Sequence, residues 1–261
     1  MTLICKCQFV IVWRCFKNMA SLPVCHSVKS VNIGDMRHKY KDGDEAFTEA
    51  NLKCKEPIGQ FKEWFEEACK VPEIMEANAV HLATATKNGA PSVRPVLLKG
   101  YGTDGFRFYT NYGSRKGQEL AENPRAALSF YWEPLKRCVR VEGRVEKVPE
   151  EESDSYFHSR PLKSQIGSSV SAQSTPIPSR ETLTQRELQL TAEYGDGKKE
   201  LPRPSHWGGY VVIPESVEFW QGQTTRIHDR IHFRRPRSGE QPDGVMLHQG
   251  ESGWVYERLS P

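Results

Sequence analysis

The chain has 261 residues, with 36 basic and 33 acidic side chains and a formal net charge of +3. That balance excludes nucleic-acid binding by bulk charge, so any anion recognition has to be local. Hydrophobic content of 37% and charged content of 26% suit a globular chain of one large or two small domains, and no apolar run approaches the roughly 20 residues of a membrane-spanning helix.

Residues 1–36 read as a disordered N-terminal extension, and 37–261 as the folded part. The first 34 residues carry Lys6, Arg14, Lys17 and Lys29 but no acidic residue. Arginine is too sparse there, and the amphipathic period too weak, for a mitochondrial-type leader. Seven cysteines (Cys5, Cys7, Cys15, Cys25, Cys54, Cys69, Cys138) form an odd set without a C-x-x-C pair. This argues against a zinc site or disulfide framework, and for reduced thiols in a cytoplasmic setting.

KDGDEAF (41–47) marks a turn. PIGQFKEWFEEACK (57–70) predicts an amphipathic helix, with Pro57 in its first turn and Phe61, Trp64, Phe65 and Ala68 on its core face. AVHLATAT, KNGAP and SVRPVLLKGYG then read as strand, turn and strand, and FRFYTNY as a third strand. GSRKGQELAENP predicts a helix with Ser114 as N-cap and Pro124 beyond its end. Two strands flank EPLK (133–136). PEEESDSYFHSR predicts a helix with acids in its first turn. Residues 163–180 read as partly loop, ETLTQRELQLTAEYG as a surface helix, and GDGKKELPRPS as a flexible link. WGGYVVIP, SVEFWQG, TRIHDRIHFRR and GWVYERL are the last strands. Strands without βαβ alternation imply a mainly β, α+β fold: one antiparallel barrel with helical insertions.

Four places suit a phosphate. Arg115 and Lys116 follow the cap of a helix, where free N–H groups and the helix dipole add to their charge. As isolated surface basics they would mean nothing. Arg94 and Lys99 fall on opposite faces of one strand, so they serve two anions or a kinked site, and Pro95 between them hints at irregularity. Tyr156 and Arg160, four apart on a helix, share a face with Ser164 close behind; they suit bidentate phosphate binding or a plain packing pair. Gln173 and Ser174 add neutral donors.

TTRIHDRIHFRR (224–235) alternates Arg226, His228, Arg230, His232 and Arg234 with Ile227, Asp229, Ile231 and Phe233. As a strand it sets a cationic face against a mostly apolar one. A charged edge strand explains this in part. Trp220 and Gly222 just ahead suggest instead a pocket wall for a planar anion.

RPVLLKG, GFRFYTNYGSRKG, YFHSRP, SQIG, WGGY, EFWQGQ, RIHDR and the terminal YERLSP occur in an order that resembles the pyridoxine (pyridoxamine) 5′-phosphate oxidase family, from about Arg37 to Pro261. The resemblance implies an FMN-binding split β-barrel and a homodimer with FMN at the interface. It implies oxidation of pyridoxine or pyridoxamine 5′-phosphate to pyridoxal 5′-phosphate, with O2 reduced to H2O2. It assigns Arg94, Pro95, Val96, Leu97, Tyr109, Thr110, Arg115, Lys116, Cys138, Gln173, Ser174, Trp220 and Arg230 to FMN. Lys99, Tyr156, Arg160 and Ser164 go to the substrate phosphate. Arg226, Ile227 and His228 go beside the substrate ring, and Arg37 and Tyr40 to a segment over the site. No metal is implied.

Arg226 and His228 are the expected catalytic pair. Arg226 stabilises negative charge at the substrate oxygen; His228 accepts a proton or only positions. Four residues depart from the pattern: Cys138 for glutamine, Pro95 for a residue with an N–H, Lys163 for a small or acidic residue, and His232 for an apolar one. Two rival readings are another split-barrel flavin reductase, and a non-catalytic flavin or pyridoxal phosphate carrier.

Overall fold

The computed structural model describes Tyr40 and residues 46–261. Arg37, the extension read at 1–36 and most of the turn read at 41–47 lie outside the described residues.

Helix α1 (Pro57–Ala68) starts where the Glu56 carboxylate accepts from the backbone N–H groups of Ile58 and Gly59. Its spacing buries Phe61, Trp64 and Ala68, each large side chain stabilising the fold by roughly 1.5–3 kcal/mol. Ten strands follow, all paired antiparallel: β1 (Ala79–Ala85), β2 (Pro91–Leu97), β3 (Gly100–Gly102), β4 (Gly105–Asn111), β5 (Arg125–Trp132), β6 (Arg137–Lys147), β7 (Trp207–Gln221), β8 (Asp229–Arg234), β9 (His248–Gln249) and β10 (Val255–Arg258). Their order is β2-β1-β5-β6-β7-β8-β10-β9, with β4 joining β7 and β3 joining β4. The core between α1 and the sheet holds Leu82, Phe106, Leu128, Phe130, Phe219, Ile231 and Phe233. The α+β, antiparallel architecture expected from the strand pattern is the one observed. No helix among the described residues is long and apolar enough to cross a membrane.

Strand β7 departs from expectation. WGGYVVIP and SVEFWQG are one strand of 15 residues, not two. Pro214 pairs opposite Gly143, where the β6–β7 register shifts. A bulge accommodates proline within a strand. It also needs glycine opposite, because a Cβ on Gly143 would lie 2.0 Å from the Ile213 carbonyl oxygen. The first part of β7 pairs with β4, from Trp207 to Val212, and its last part with β8, from Ser216 to Gln221. β7 therefore connects two ends of the fold.

Helix α2 (Arg115–Glu122) is capped by Ser114, whose hydroxyl accepts from Gly117 N–H, as the sequence predicts. Helices α3 (Glu150–Ser159) and α4 (Leu162–Val170) form a second small core with Trp207: Phe157, Ile166, Val170 and Leu201. The partly-loop reading of 163–180 fits: α4 runs to Val170, and 171–180 lacks regular structure. Pro161 at its N-cap has the fixed φ that starts a helix. Helix α5 (Glu181–Tyr194) buries no residue, as a surface helix should.

Candidate active site

The β4 end of β7 closes a cavity of about 540 Å3. Strand β2 and its exit supply Pro95, Val96, Leu97 and Lys99; β4 supplies Tyr109, Thr110 and Asn111. Lys116 comes from α2, Tyr156 and Arg160 from α3 and its end, Ser164, Gly167 and Ser168 from α4, Ser171 and Gln173 from the following loop, and Trp207 from β7. Lys99, Tyr156, Arg160 and Ser164 thus meet Lys116 and Gln173 in one cavity, whereas Arg94, Arg115 and Ser174 are not in its lining. The opposite-face argument for Arg94 and Lys99 does not apply, because β2 ends at Leu97; Lys99 lines the cavity and Arg94 does not.

Two cations dominate the lining. Lys116 Nζ is buried and reaches only neutral oxygens: Gln173 Oε1 at 2.9 Å, Thr110 Oγ1 at 3.1 Å and Ser114 Oγ at 3.4 Å. Burial, aided by the nearby Arg94 charge, pulls its ammonium down to about 8. Arg160 lies at the C-cap of α3 on extended backbone, not inside the helix as the spacing from Tyr156 suggested. Its guanidinium stacks 4.1 Å over Trp207 and 5.9 Å from Tyr156. Tyr156 in turn stacks on Tyr109 at 3.9 Å. Nη1 of Arg160 donates to Ser168 Oγ at 3.0 Å, while Nε and Nη2 are buried without a hydrogen-bond partner.

That pair of nitrogens is the edge along which two N–H bonds run parallel, matching two oxygens of a carboxylate or phosphate. Elsewhere in the molecule the same edge is filled. Arg230 gives Nε and Nη2 to the two oxygens of Glu218 at 2.8 and 3.0 Å. Arg234 does so to Glu257, and Arg258 to Glu49. At Arg160 the edge has no partner, and the residue lines a cavity with no carboxylate among its lining residues.

Arg94 and Arg115 converge on Glu119. This carboxylate is 3% exposed and accepts from Thr84, Ser92, Arg94 and Arg115. Burial alone would raise it, but the hydrogen bonds from Ser92, Thr84 and Arg115 hold it at about 2. Arg94 also donates to Leu82 O and Thr84 Oγ1. Ser174, with a left-handed φ of 71°, is exposed beside Gln173.

The remaining expected residues gather at the other end of β7. The stripe read through 224–235 is a strand only from Asp229. Arg226 N–H bonds back to Gln223 O at 3.1 Å, and Arg226 sits in the left-handed region at φ 66°. This turn takes Arg226, the exposed Ile227 and His228 off the strand face that carries Arg230. Trp220, Cys138 and Arg230 are cross-strand neighbours on β7, β6 and β8. His228 packs 4.8 Å from Trp220 and edge-on to Tyr40 at 5.9 Å.

The Nδ1 atom of His228 faces the Gln223 N–H at 3.0 Å and so accepts from it, which leaves the neutral ring's proton on Nε2. Burial and then the Arg226 charge push its pKa below the ordinary value. Burial likewise pushes the Cys138 thiol up. His232 bonds Ser216 Oγ at 2.8 Å and Glu257 Oε1 at 3.1 Å.

Residues 66–190 match the family described as pyridoxamine 5′-phosphate oxidase, and residues 207–261 match the pyridoxine 5′-phosphate oxidase C-terminal dimerisation region. A pyridoxine/pyridoxamine 5′-phosphate oxidase of Bombyx mori is 59% identical over 232 residues, 89% of this chain and 90% of that one. The chain belongs to the pyridoxamine 5′-phosphate oxidase family. Within that family, a pyridoxine-5′-phosphate oxidase of Bos taurus is 54% identical over 95% of this chain and 93% of its own length. Among solved structures, PhzG from Burkholderia lata 383, in complex with tetrahydrophenazine-1-carboxylic acid, aligns with a TM-score of 0.71 at 29% identity, covering 84% of this chain and 100% of that chain.

Membership in the oxidase family did not by itself point to Trp207, Asn111, Gly167, Ser168 or Ser171 in the lining. On α4 the spacing of Ser164, Gly167 and Ser168 is that of one helix face, a signal that was present once 162–170 is read as helical. Trp207 carried no signal beyond its place in WGGY, because its role depends on α3 packing against it.

Proposed function

We propose that this chain oxidises pyridoxine 5′-phosphate or pyridoxamine 5′-phosphate to pyridoxal 5′-phosphate, with FMN as cofactor and O2 as acceptor, giving H2O2. The substrate loses two electrons and two protons, one hydrogen leaving the carbon and one its oxygen or nitrogen, and O2 takes them up; in the amine case water then displaces ammonia. The single observation that carries the reading is the unpartnered, buried Nε/Nη2 edge of Arg160, a residue that lines the cavity. A buried guanidinium edge without a protein carboxylate calls for a ligand oxyanion. Lys99, Tyr156 and Ser164 complete a grip suited to a phosphate monoester.

When bound, FMN supplies the two-electron acceptor. Lys116 is the residue whose environment fits its phosphate, being a buried ammonium with only neutral oxygens around it. Thr110, Gln173 and Ser174 add donors, Pro95, Val96, Leu97 and Tyr109 line the approach, and Arg94 and Arg115 add charge from behind.

Arg226 and His228 act on the substrate from a second copy. Trp207 and Trp220 are thirteen residues apart on β7, or ~40 Å at about 3.3 Å per residue before bending. One small ligand cannot touch both ends of one chain, whereas a homodimer can set the turn of one copy against the cavity of the other. The match to a dimerisation region over 207–261 supports this arrangement. Arg226 would then stabilise negative charge at the reacting oxygen. His228, its Nδ1 engaged by Gln223, would donate through Nε2–H and so orient the substrate rather than act as a base. Cytoplasmic placement belongs to the same proposal and rests on unpaired Cys54, Cys69 and Cys138.

The test is a spectrum of the purified protein, followed by pyridoxine 5′-phosphate without oxygen and then with air. A yellow protein that bleaches, recovers in air and yields aldehyde and peroxide supports the reading. A yellow protein that does not respond to this substrate defeats it.

A further inference from the structure

Ser168 lies one residue past the SQIG motif and lines the cavity from α4. Its hydroxyl makes two hydrogen bonds. It donates to the Ser164 carbonyl oxygen one turn back at 3.1 Å, and accepts from Arg160 Nη1 at 3.0 Å. The first bond orients the second: with its proton committed to a carbonyl, the hydroxyl offers lone pairs to the cation.

Arg160 needs such a partner. It leaves α3 on extended backbone, so no helical neighbour one turn on fixes its side chain. Its flat face rests on Trp207 at 4.1 Å and against Phe157 at 4.9 Å. Stacking of this kind fixes the plane of a guanidinium but directs its rotation within the plane only weakly. A hydrogen bond at one corner removes that rotation. Nη1 is the corner away from the Nε/Nη2 edge, so Ser168 can hold the group without occupying the edge that an oxyanion would use.

We propose that Ser168 is a positioning residue that fixes the Arg160 guanidinium with its Nε/Nη2 edge left free for an oxyanion, and thereby sets affinity for the substrate's phosphate monoester. The inference rests on the function proposed above. Ser168 itself need not touch the substrate, since its lone pairs serve Arg160 and its proton serves Ser164.

Flavin-loaded Ser168→Ala, Ser168→Thr and Arg160→Ala proteins test this, by steady-state kinetics with pyridoxine 5′-phosphate and by inhibition with inorganic phosphate. Ser168→Ala should raise KM and the phosphate inhibition constant about five- to tenfold, the scale of losing one hydrogen bond to a charged group. Its kcat should stay within about twofold, and its flavin content and Tm should hold, because alanine suits a helix interior at least as well as serine. Ser168→Thr keeps the hydroxyl and should restore KM to within about twofold. A Ser168→Ala KM within twofold of the parent overturns the inference, as does a threonine variant as impaired as the alanine one. A KM rise that comes with lost flavin and a lowered Tm overturns it too, because the role would then be structural. Arg160→Ala keeps the two levels apart. If it leaves KM unchanged, the phosphate assignment falls and the Ser168 role with it; if it raises KM strongly while Ser168→Ala is silent, only the Ser168 role falls.

Discussion

Arg160 and Arg230 are the same residue in opposite states. Arg230 spends its Nε/Nη2 edge on Glu218, a buried carboxylate that also takes Arg140 at 3.2 Å. Arg160 keeps that edge without a partner and gives only Nη1 away. The difference teaches that an arginine's role is legible from what fills its bidentate edge. A filled edge stabilises the fold, and an open buried one is held for a ligand. The two ends of β7 show both states: Lys116 and Arg160 at the cavity end have no carboxylate partner, while Arg230 at the other end is neutralised by Glu218.

The sharpest way to break this contrast is to delete both arginines. Arg160→Ala should lower kcat/KM for pyridoxine 5′-phosphate by about 10²-fold or more, the cost of losing a desolvated charge partner, with little change in thermal stability. Arg230→Ala should do the reverse first. It strands part of the Glu218 charge, which costs about 2–3 kcal/mol because Arg140 remains, and flavin loss follows as a second effect. Melting curves and kinetics on the two variants decide; equal losses of Tm would erase the distinction.

Lys116 sharpens the cavity side through pH. Its ammonium sits at about 8, so it is charged below that value and increasingly neutral above it. A bound phosphate favours the charged form, so FMN affinity of the apoprotein should decline as pH rises beyond about 8. Lys116→Arg, which does not titrate in this range, should flatten the decline. Fluorescence titration of FMN at pH 7 and pH 9 measures it, and a flat profile in the parent protein removes Lys116 from the phosphate site.

His228 tests the turn end. With Nδ1 engaged and its pKa lowered, the ring is neutral near pH 7. Protonation would put a second proton where Gln223 N–H already points, so turnover should fall only as pH drops below the ordinary histidine value. A positioning donor also predicts a modest defect. His228→Ala should lose about tenfold in kcat, short of the roughly 10²–10⁴-fold expected for a true acid–base group. A loss of 10³-fold would restore the base.

The smallest effect belongs to Cys138, cross-strand from Trp220. Its thiol lies 3.7 Å from Ser129 Oγ, with its pKa raised mainly by burial. A glutamine offers both donor and acceptor where the thiol offers weak versions of each. Cys138→Gln should therefore tighten FMN a few-fold and raise Tm in its presence; equal or weaker affinity in a titration refutes this.

Much of the frame was legible because its periods are clean: the three-four spacing of Phe61, Trp64 and Ala68, and the alternation in β1, β5 and β6. The Ser114 cap and Lys116 behind it were legible for the same local reason. What sequence reading missed depends on distant partners. Pro214 looked like a strand break because the compensating Gly143 lies on another strand. The alternation at 224–235 ran on past a turn that only the left-handed Arg226 reveals. Arg94, Arg160 and Arg230 looked alike in sequence, because Glu119 and Glu218 reach two of them through sheet register and helix packing.

Strand β2 has a consequence of a different kind. It pairs only with β1 among the described residues, which makes it an open margin of the sheet. Its outward side chains include Val93, 64% exposed, and Leu97. An uninterrupted apolar margin of this length would invite strand addition from another molecule during synthesis or after dissociation. Pro91 and Pro95 lie within it and cannot donate to an incoming strand. Pro95, which lacks a backbone N–H, thus serves as a guard against aggregation. A Pro95→Val chain would regain that N–H at the risk of precipitating before it ever met flavin.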